Sequence, residues 1–252
     1  MADNSAIEWT NATWNPVTGC DKVSPGCAHC YAETFAERWR DVPGHPYQQG
    51  FDLRLWPNRL DQPLRWKRPR TIFVNSMSDL FHERIPKSFI RQVFGVMEEA
   101  SQHTFQILTK RHERLAELAP TLRWAPNVWM GVTIENRRFV HRANYLREVD
   151  AAVRFISAEP LLGPLEGLDL NGIDWLIAGG ESGAKHRRCD AAWIRDLRAR
   201  CAEQNVAFFF KQWGGRTSKA GGRLLDNRTY DAMPSSPSAR VRHRELTVAA
   251  AV

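Results

Sequence analysis

The sequence predicts an α/β protein built on a parallel (β/α) barrel, partial or irregular and TIM-like, of about six to seven strand–helix units. From about residue 70 onward, short β-rich apolar runs alternate with segments of helical spacing, and most of the runs are nearly continuously apolar, as strands covered on both faces are. Strand-then-helix units in series require crossovers, which places the strands parallel. A chain of 252 residues with 43% hydrophobic and 25% charged content can bury a large core and is not disordered as a whole.

An early strand is expected near residues 12–17, followed by Thr71-Ile72-Phe73-Val74 and Thr104-Phe105-Gln106-Ile107-Leu108. Val128-Trp129-Met130-Gly131-Val132, Val153-Arg154-Phe155-Ile156, Trp175-Leu176-Ile177-Ala178 and Val206-Ala207-Phe208-Phe209-Phe210 complete a set of seven, one short of a full barrel. Residues 87–100 place Phe89, Ile90, Val93, Val96, Met97 and Ala100 on one helical stripe behind Pro86, a favoured first-turn residue. Asp190 is a natural cap for a helix whose inner face is Trp193, Ile194, Leu197 and Cys201. Residues 43–69 carry Pro43, Pro46, Pro57, Pro63 and Pro69 and read as an irregular basic insertion. One α/β domain over 1–232 is therefore expected, with a flexible tail over 233–252 that begins with the Pro234-Ser235-Ser236-Pro237 run.

The net charge is +7, but residues 216–252 hold seven basic and three acidic side chains, so the tail region supplies most of the surplus. No apolar stretch is long enough to span a membrane, and Met1-Ala2-Asp3-Asn4-Ser5 lacks the features of a signal peptide, so the expected compartment is the cytoplasm, without membrane partners. Five cysteines in such a compartment would stay reduced.

Three of them, Cys20, Cys27 and Cys30, lie within eleven residues, punctuated by Gly19, Pro25 and Gly26. Closely spaced thiolates suit a soft metal or an iron–sulfur cluster. A structural zinc prefers four protein ligands, whereas a cubane held by three leaves one iron free for another ligand. A zinc site completed by His29 or Cys189 is the competing reading, although His29 stands awkwardly between two of the cysteines. Cys189 and Cys201 read as structural.

Ligands of parallel α/β proteins gather at the carboxyl ends of strands. There the sequence places Asn75, Ser76, Ser78 and Asp79; then Thr109, Lys110 and Arg111; Thr133, Glu135 and Asn136; Ser157 and Glu159; Gly179-Gly180-Glu181-Ser182-Gly183; and Lys211, Gln212 and Trp213. Charges of both signs would converge on one mouth if the sheet curves, and Glu135, Glu159, Glu181 and Lys211 are the catalytic candidates. Basic residues cluster at Lys185, Arg187 and Arg188, and at Arg65, Lys67 and Arg68 beside Trp56 and Trp66, the composition of a surface that grips a phosphate backbone and stacks on bases. A solvated basic loop and tryptophans packed under a loop are the plain readings of the same residues.

The run Ile7-Glu8-Trp9-Thr10-Asn11-Ala12-Thr13-Trp14-Asn15-Pro16-Val17-Thr18-Gly19-Cys20, with Ser24-Pro25-Gly26-Cys27-Ala28-His29-Cys30-Tyr31-Ala32, resembles phage and bacterial three-cysteine proteins related to radical S-adenosylmethionine (SAM) enzymes. These are distantly similar to DNA repair enzymes of the spore photoproduct lyase type. The resemblance extends through Asn75-Ser76-Met77-Ser78-Asp79-Leu80-Phe81, Gly179-Gly180-Glu181-Ser182-Gly183 and Phe210-Lys211-Gln212-Trp213-Gly214. It implies a radical-SAM-like fold, a [4Fe–4S] cluster on Cys20, Cys27 and Cys30, and reductive cleavage of SAM. By position, Ser76, Asp79, Thr133, Glu135, Gly179, Gly180 and Glu181 would hold the cofactor. It also implies an electron donor of flavodoxin or ferredoxin type and admits a nucleic-acid substrate. The first cysteine gap here is six residues, longer than the usual three, and Pro25 and Gly26 can fold the extra residues outward. The alternative is a non-catalytic protein in which zinc or a cluster stabilises a surface for nucleic acid or another partner.

Overall fold

The computed structural model describes residue 5 and residues 7–234. Seven strands form one sheet whose spatial order repeats the chain order: β1 (Ala12–Trp14), β2 (Thr71–Val74), β3 (Thr104–Thr109), β4 (Val128–Thr133), β5 (Val153–Ala158), β6 (Trp175–Gly179) and β7 (Ala207–Gln212). Every neighbouring pair is parallel. Among the described residues nothing pairs β7 with β1; the outer edge of β7 is covered instead by the returning chain, where the Phe210 N–H donates to the Tyr230 carbonyl at 2.8 Å.

Five helices occupy the crossovers: α1 (Tyr31–Glu37), α2 (Lys87–Glu99), α3 (His112–Leu118), α4 (Arg142–Arg147) and α5 (Ala191–Glu203). The expected cap is in place, with Asp190 accepting from the Ala192 N–H at 2.8 Å. Between β5 and β6 the strand–helix alternation breaks. Pro160, Gly163, Pro164, Gly167 and Gly172 prevent a helix there, and buried Leu161, Leu165, Leu168, Leu170 and Ile173 cover the sheet in its place.

Alternation along the strands separates two cores. Ile72, Val74, Ile107, Met130 and Leu176 pack outward against helical residues such as Phe89, Ile90, Val93 and Met97. Phe73, Trp129, Phe155, Trp175, Ile177 and Phe209 point the other way and share a cluster with Trp9. The Trp9 ring lies 4.8 Å from Phe73 on β2 and 6.1 Å from Trp175 on β6. In a flat sheet those strands would stand four spacings, about 19 Å, apart. One indole touching both shows that the sheet curls into a partial barrel, the architecture expected from the sequence, with Trp9 inside it.

The insertion is irregular as expected. Its Arg54–Leu55 pairs antiparallel with Val17–Thr18, and single helical turns follow at Pro57–Arg59 and Pro63–Arg65. Both of its tryptophans serve the chain's own packing. The guanidinium carbons of Arg54 and Arg59 lie 4.0 and 3.8 Å from the Trp56 ring centroid, and the Trp66 ring meets Arg70 and His103. The tail expected over 233–252 falls outside the described residues from 235 onward. No helix among the described residues is long and apolar enough to cross a membrane.

Candidate functional site

The segment from Gly19 to Cys30 crosses the carboxyl ends of the strands, held at each stage by a different one. Beside β2, the Gly19 N–H donates to the Met77 carbonyl at 3.0 Å. Gly19 adopts φ +84°, and a Cβ there would come within 2.2 Å of the Asp52 carbonyl oxygen, so glycine alone makes this approach. Asp21 meets His82 at 3.0 Å and Arg84 at 3.1 Å, and its carbonyl accepts from Arg111, just after β3, at 3.2 Å. The Ser24 hydroxyl donates to Glu135, just after β4. Arg187, which follows β6, donates to the Pro25 carbonyl at 2.9 Å, and Glu181 meets His29 Nδ1 at 3.1 Å. Cys20, Cys27 and Cys30 are thus presented, half-buried, on one loop spanning the mouth of the partial barrel.

Two buried carboxylates brace this loop, each with its own arginine. Glu135 and Arg142 are both buried and pair at 3.0 Å, and Arg142 also donates to the Thr133 carbonyl at 2.8 Å. Gly26 lies so close to Glu135 that a Cβ would sit 2.6 Å from its Cγ. Glu181 accepts from the backbone N–H and the Nε of Arg187 at 2.9 and 2.8 Å. Burial pushes the Glu181 carboxyl up, but the hydrogen bonds and charge of Arg187 and the contact with His29 outweigh it and hold the pKa at about 2. Glu135, Glu181 and Arg187, candidates for chemistry or substrate contact in the sequence, are therefore placed where they support the cysteine loop.

The thiols respond to their setting. Burial, then the nearby Asp79 carboxylate, pushes Cys20 up to about 12, with Arg111 opposing. Burial also raises Cys30, against the lowering effect of the α1 N–H groups and Lys110. Burial alone places Cys201 at about 12, and burial with Asp190 does the same for Cys189.

Beneath the loop, Asp79 is buried and accepts from Thr109 Oγ1 at 2.8 Å, the Lys110 N–H at 3.1 Å and the Phe81 N–H at 3.0 Å. Lys110 Nζ donates to Thr133 Oγ1 at 3.3 Å and has no carboxylate within ion-pair distance among the described residues. Lys211 pairs with Glu159 at 2.6 Å. Ser76 accepts a hydrogen bond from Tyr31 at its carbonyl. The tightest approach to Gly180 is from the chain's own Trp213 carbonyl, 2.0 Å from where a Cβ would stand, while Gly179 leaves ordinary contact distances to Glu159 and Lys211. Deeper in the lumen Gln106 is fully buried, with neither Oε1 nor Nε2 hydrogen bonded within the chain, and Asn75 Nδ2 and Gln212 Oε1 are likewise unpaired.

Of the basic candidates, Arg187 alone reaches this loop. Arg65 pairs with Asp61, and Lys67, Arg68, Lys185 and Arg188 are exposed. Among the described residues no three His, Cys, Asp or Glu side chains are drawn together around a single-ion position. By chemistry alone, three thiols on one braced loop are a donor set of the kind that iron–sulfur clusters use.

Sequence reasoning missed Ser24, Arg142, His29 as a loop anchor and Gln106. Only Gln106 left a signal, a lone amide inside an apolar strand.

No curated protein sequence matches this chain. Among solved structures, "Spore photoproduct lyase complexed with dinucleoside spore photoproduct" is similar at 15% identity and a TM-score of 0.45, over 74% of this chain. This chain spans 59% of that structure's length. A family model matches residues 4–234, nearly the whole sequence, and the chain belongs to the family described as "Protein of unknown function (DUF5131)".

Proposed function

We propose that this protein is a radical-SAM-like iron–sulfur enzyme of the cytoplasm. The observation that carries the reading is the braced three-cysteine loop spanning the polar mouth of a partial (β/α) barrel. Cys20, Cys27 and Cys30 would hold a [4Fe–4S] cluster with one iron left for SAM. When bound, this pair supplies one chemistry: an electron from a flavodoxin- or ferredoxin-type donor splits the sulfonium–carbon bond, and a hydrogen atom taken from the substrate leaves methionine, 5′-deoxyadenosine and a substrate radical.

The chain's own residues bind and orient. Lys110, a cation without a carboxylate partner among the described residues, offers a donor for an anionic group, and Thr133 lies beside it. Ser76 and Gly179 would line the approach, Gly180 being closed off by the Trp213 carbonyl, and the Glu159–Lys211 pair closes the β7 side of the mouth. Asp79, Glu135 and Glu181 contribute by holding the strand-end turns and the cysteine loop in place, since their oxygens are already engaged. The aromatic floor of Trp9, Phe155 and Trp175 excludes water from below. The exposed basic insertion and the loop after β6 support a nucleic-acid substrate.

Anaerobic purification, reconstitution with iron and sulfide, and an assay for 5′-deoxyadenosine with SAM and dithionite test this. The expected result is a brown chromophore, about four irons per chain and production of 5′-deoxyadenosine. Cys27→Ala should lose the iron and Cys201→Ala should retain it. One equivalent of zinc without the chromophore, or equal iron in both variants, would overturn the assignment.

A further inference from the structure

Helix α1 begins directly after Cys30 and is amphipathic in an unusual sense. Ala32 and Ala36 are buried, while the positions four residues apart on the outer face are aromatic and exposed: Tyr31 at 58%, Phe35 at 43% and Trp39, just past the end of the helix, at 37%. Large apolar side chains aligned on solvent are costly unless something uses them. The following turn extends the row, since Tyr47 meets Phe35 edge-on at 5.5 Å and His45 stacks on Trp39 at 4.1 Å with the planes 15° apart.

Charge beside the row is sorted. Glu33 is neutralised by Lys22 at 2.8 Å, and Arg40 pairs with both Glu37 and Asp52. That leaves Arg38, Arg54 and Arg59 without a carboxylate partner among the described residues, with Asp41 the nearby unpaired acid. Arg54 reaches Gln49 at 3.1 Å and Arg59 feels Tyr47, so these guanidiniums border the aromatic row. At its inner end the Tyr31 hydroxyl bonds to Ser76, on the rim of the mouth.

We infer that Tyr31, Phe35 and Trp39, flanked by Arg38, Arg54 and Arg59, form a stacking track for single-stranded nucleic acid that leads to the mouth. Rings four residues apart on a helix are spaced about 6 Å, wider than the roughly 3.4 Å repeat of a duplex strand. Such spacing suits splayed bases, each laid on an aromatic face, with arginines meeting the phosphates. The reading of the mouth as the reacting centre supplies the destination, but binding to the track does not need the cluster.

Fluorescence anisotropy of the full chain with a fluorescein-labelled single-stranded oligothymidylate tests this, with a duplex of equal length beside it. The single strand is expected to bind more tightly than the duplex, with an affinity that falls linearly on a log–log plot against salt. Phe35→Ala and Trp39→Ala should each weaken binding roughly 5- to 100-fold. Both rings are exposed, so circular dichroism of the variants should match the parent. Cys27→Ala, lacking iron, should bind the strand as the parent does, so strand binding by a reconstituted parent that forms no 5′-deoxyadenosine would sink the enzymatic reading and leave the track standing. Undiminished binding by the aromatic variants, or no binding by the parent at low salt, would overturn the track. So would variants that turn a dimer into a monomer without changing strand affinity, which would mark this face as a contact between copies.

Discussion

Glu135 is a fully buried carboxylate that balances a buried guanidinium and receives the Ser24 hydroxyl from the cysteine loop. Removing its charge would leave Arg142 buried beside Thr133 with no counter-ion, a situation that costs about 3–5 kcal/mol. Glu135→Gln is accordingly expected to unfold at markedly lower guanidinium concentration than the parent, with an unchanged slope. Glu181 behaves differently because its carboxyl, ordinarily near 4.5, is held at about 2 in the folded state. A lowered carboxyl pKa adds stability that is complete above the unfolded value and is lost as pH falls through the folded one. Between about pH 4.5 and 2 the parent should therefore lose stability relative to Glu181→Gln, while at neutral pH the variant should be the weaker; denaturant unfolding across that range measures both. Neither role could be read from the sequence, since a glutamate just after a strand looks the same whether it faces a ligand or braces a neighbouring loop. The distinction lies in partners more than 100 residues away, Ser24 for one and His29 for the other.

At the scale of elements, local chemistry made much of the chain legible. The stripe behind Pro86 became α2, with Phe89, Ile90, Val93 and Met97 buried, and Asp190 caps α5 through its own side chain. The predicted strands are all present, because runs buried on both faces leave a continuous apolar signature that survives any tertiary context. The early strand was read too long. It ends at Trp14, and Val17–Thr18 turns away to pair with the insertion. That pairing is invisible in two residues of sequence. The missing helix between β5 and β6 is a failure of the same kind, and the packed state of Trp56 is the plain reading of the two the sequence left open, each depending on what other segments offer rather than on periodicity. The exposed aromatic face of α1 is not legible either, because Tyr31, Phe35 and Trp39 at helical spacing look the same whether they face a core or solvent.

For the whole molecule, the inner cluster decides the curvature. Trp175 is fully buried among Trp9, Trp129, Phe155 and Phe209, and its indole N–H reaches the Ala232 carbonyl at 2.9 Å. Trp175→Ala should cost about 3–5 kcal/mol, readable as a lowered thermal midpoint. Because spatial order repeats chain order, each strand leaving the ribosome meets an edge already laid down by the one before it, so the sheet can grow in step with synthesis. Trp9 is the exception: it precedes every strand of the sheet, and its indole has no complete shell until β5 and β6 emerge more than 140 residues later. The curl of the sheet thus follows the laying down of its early strands, and the mouth beneath the cysteines takes its final shape only once β6 has emerged.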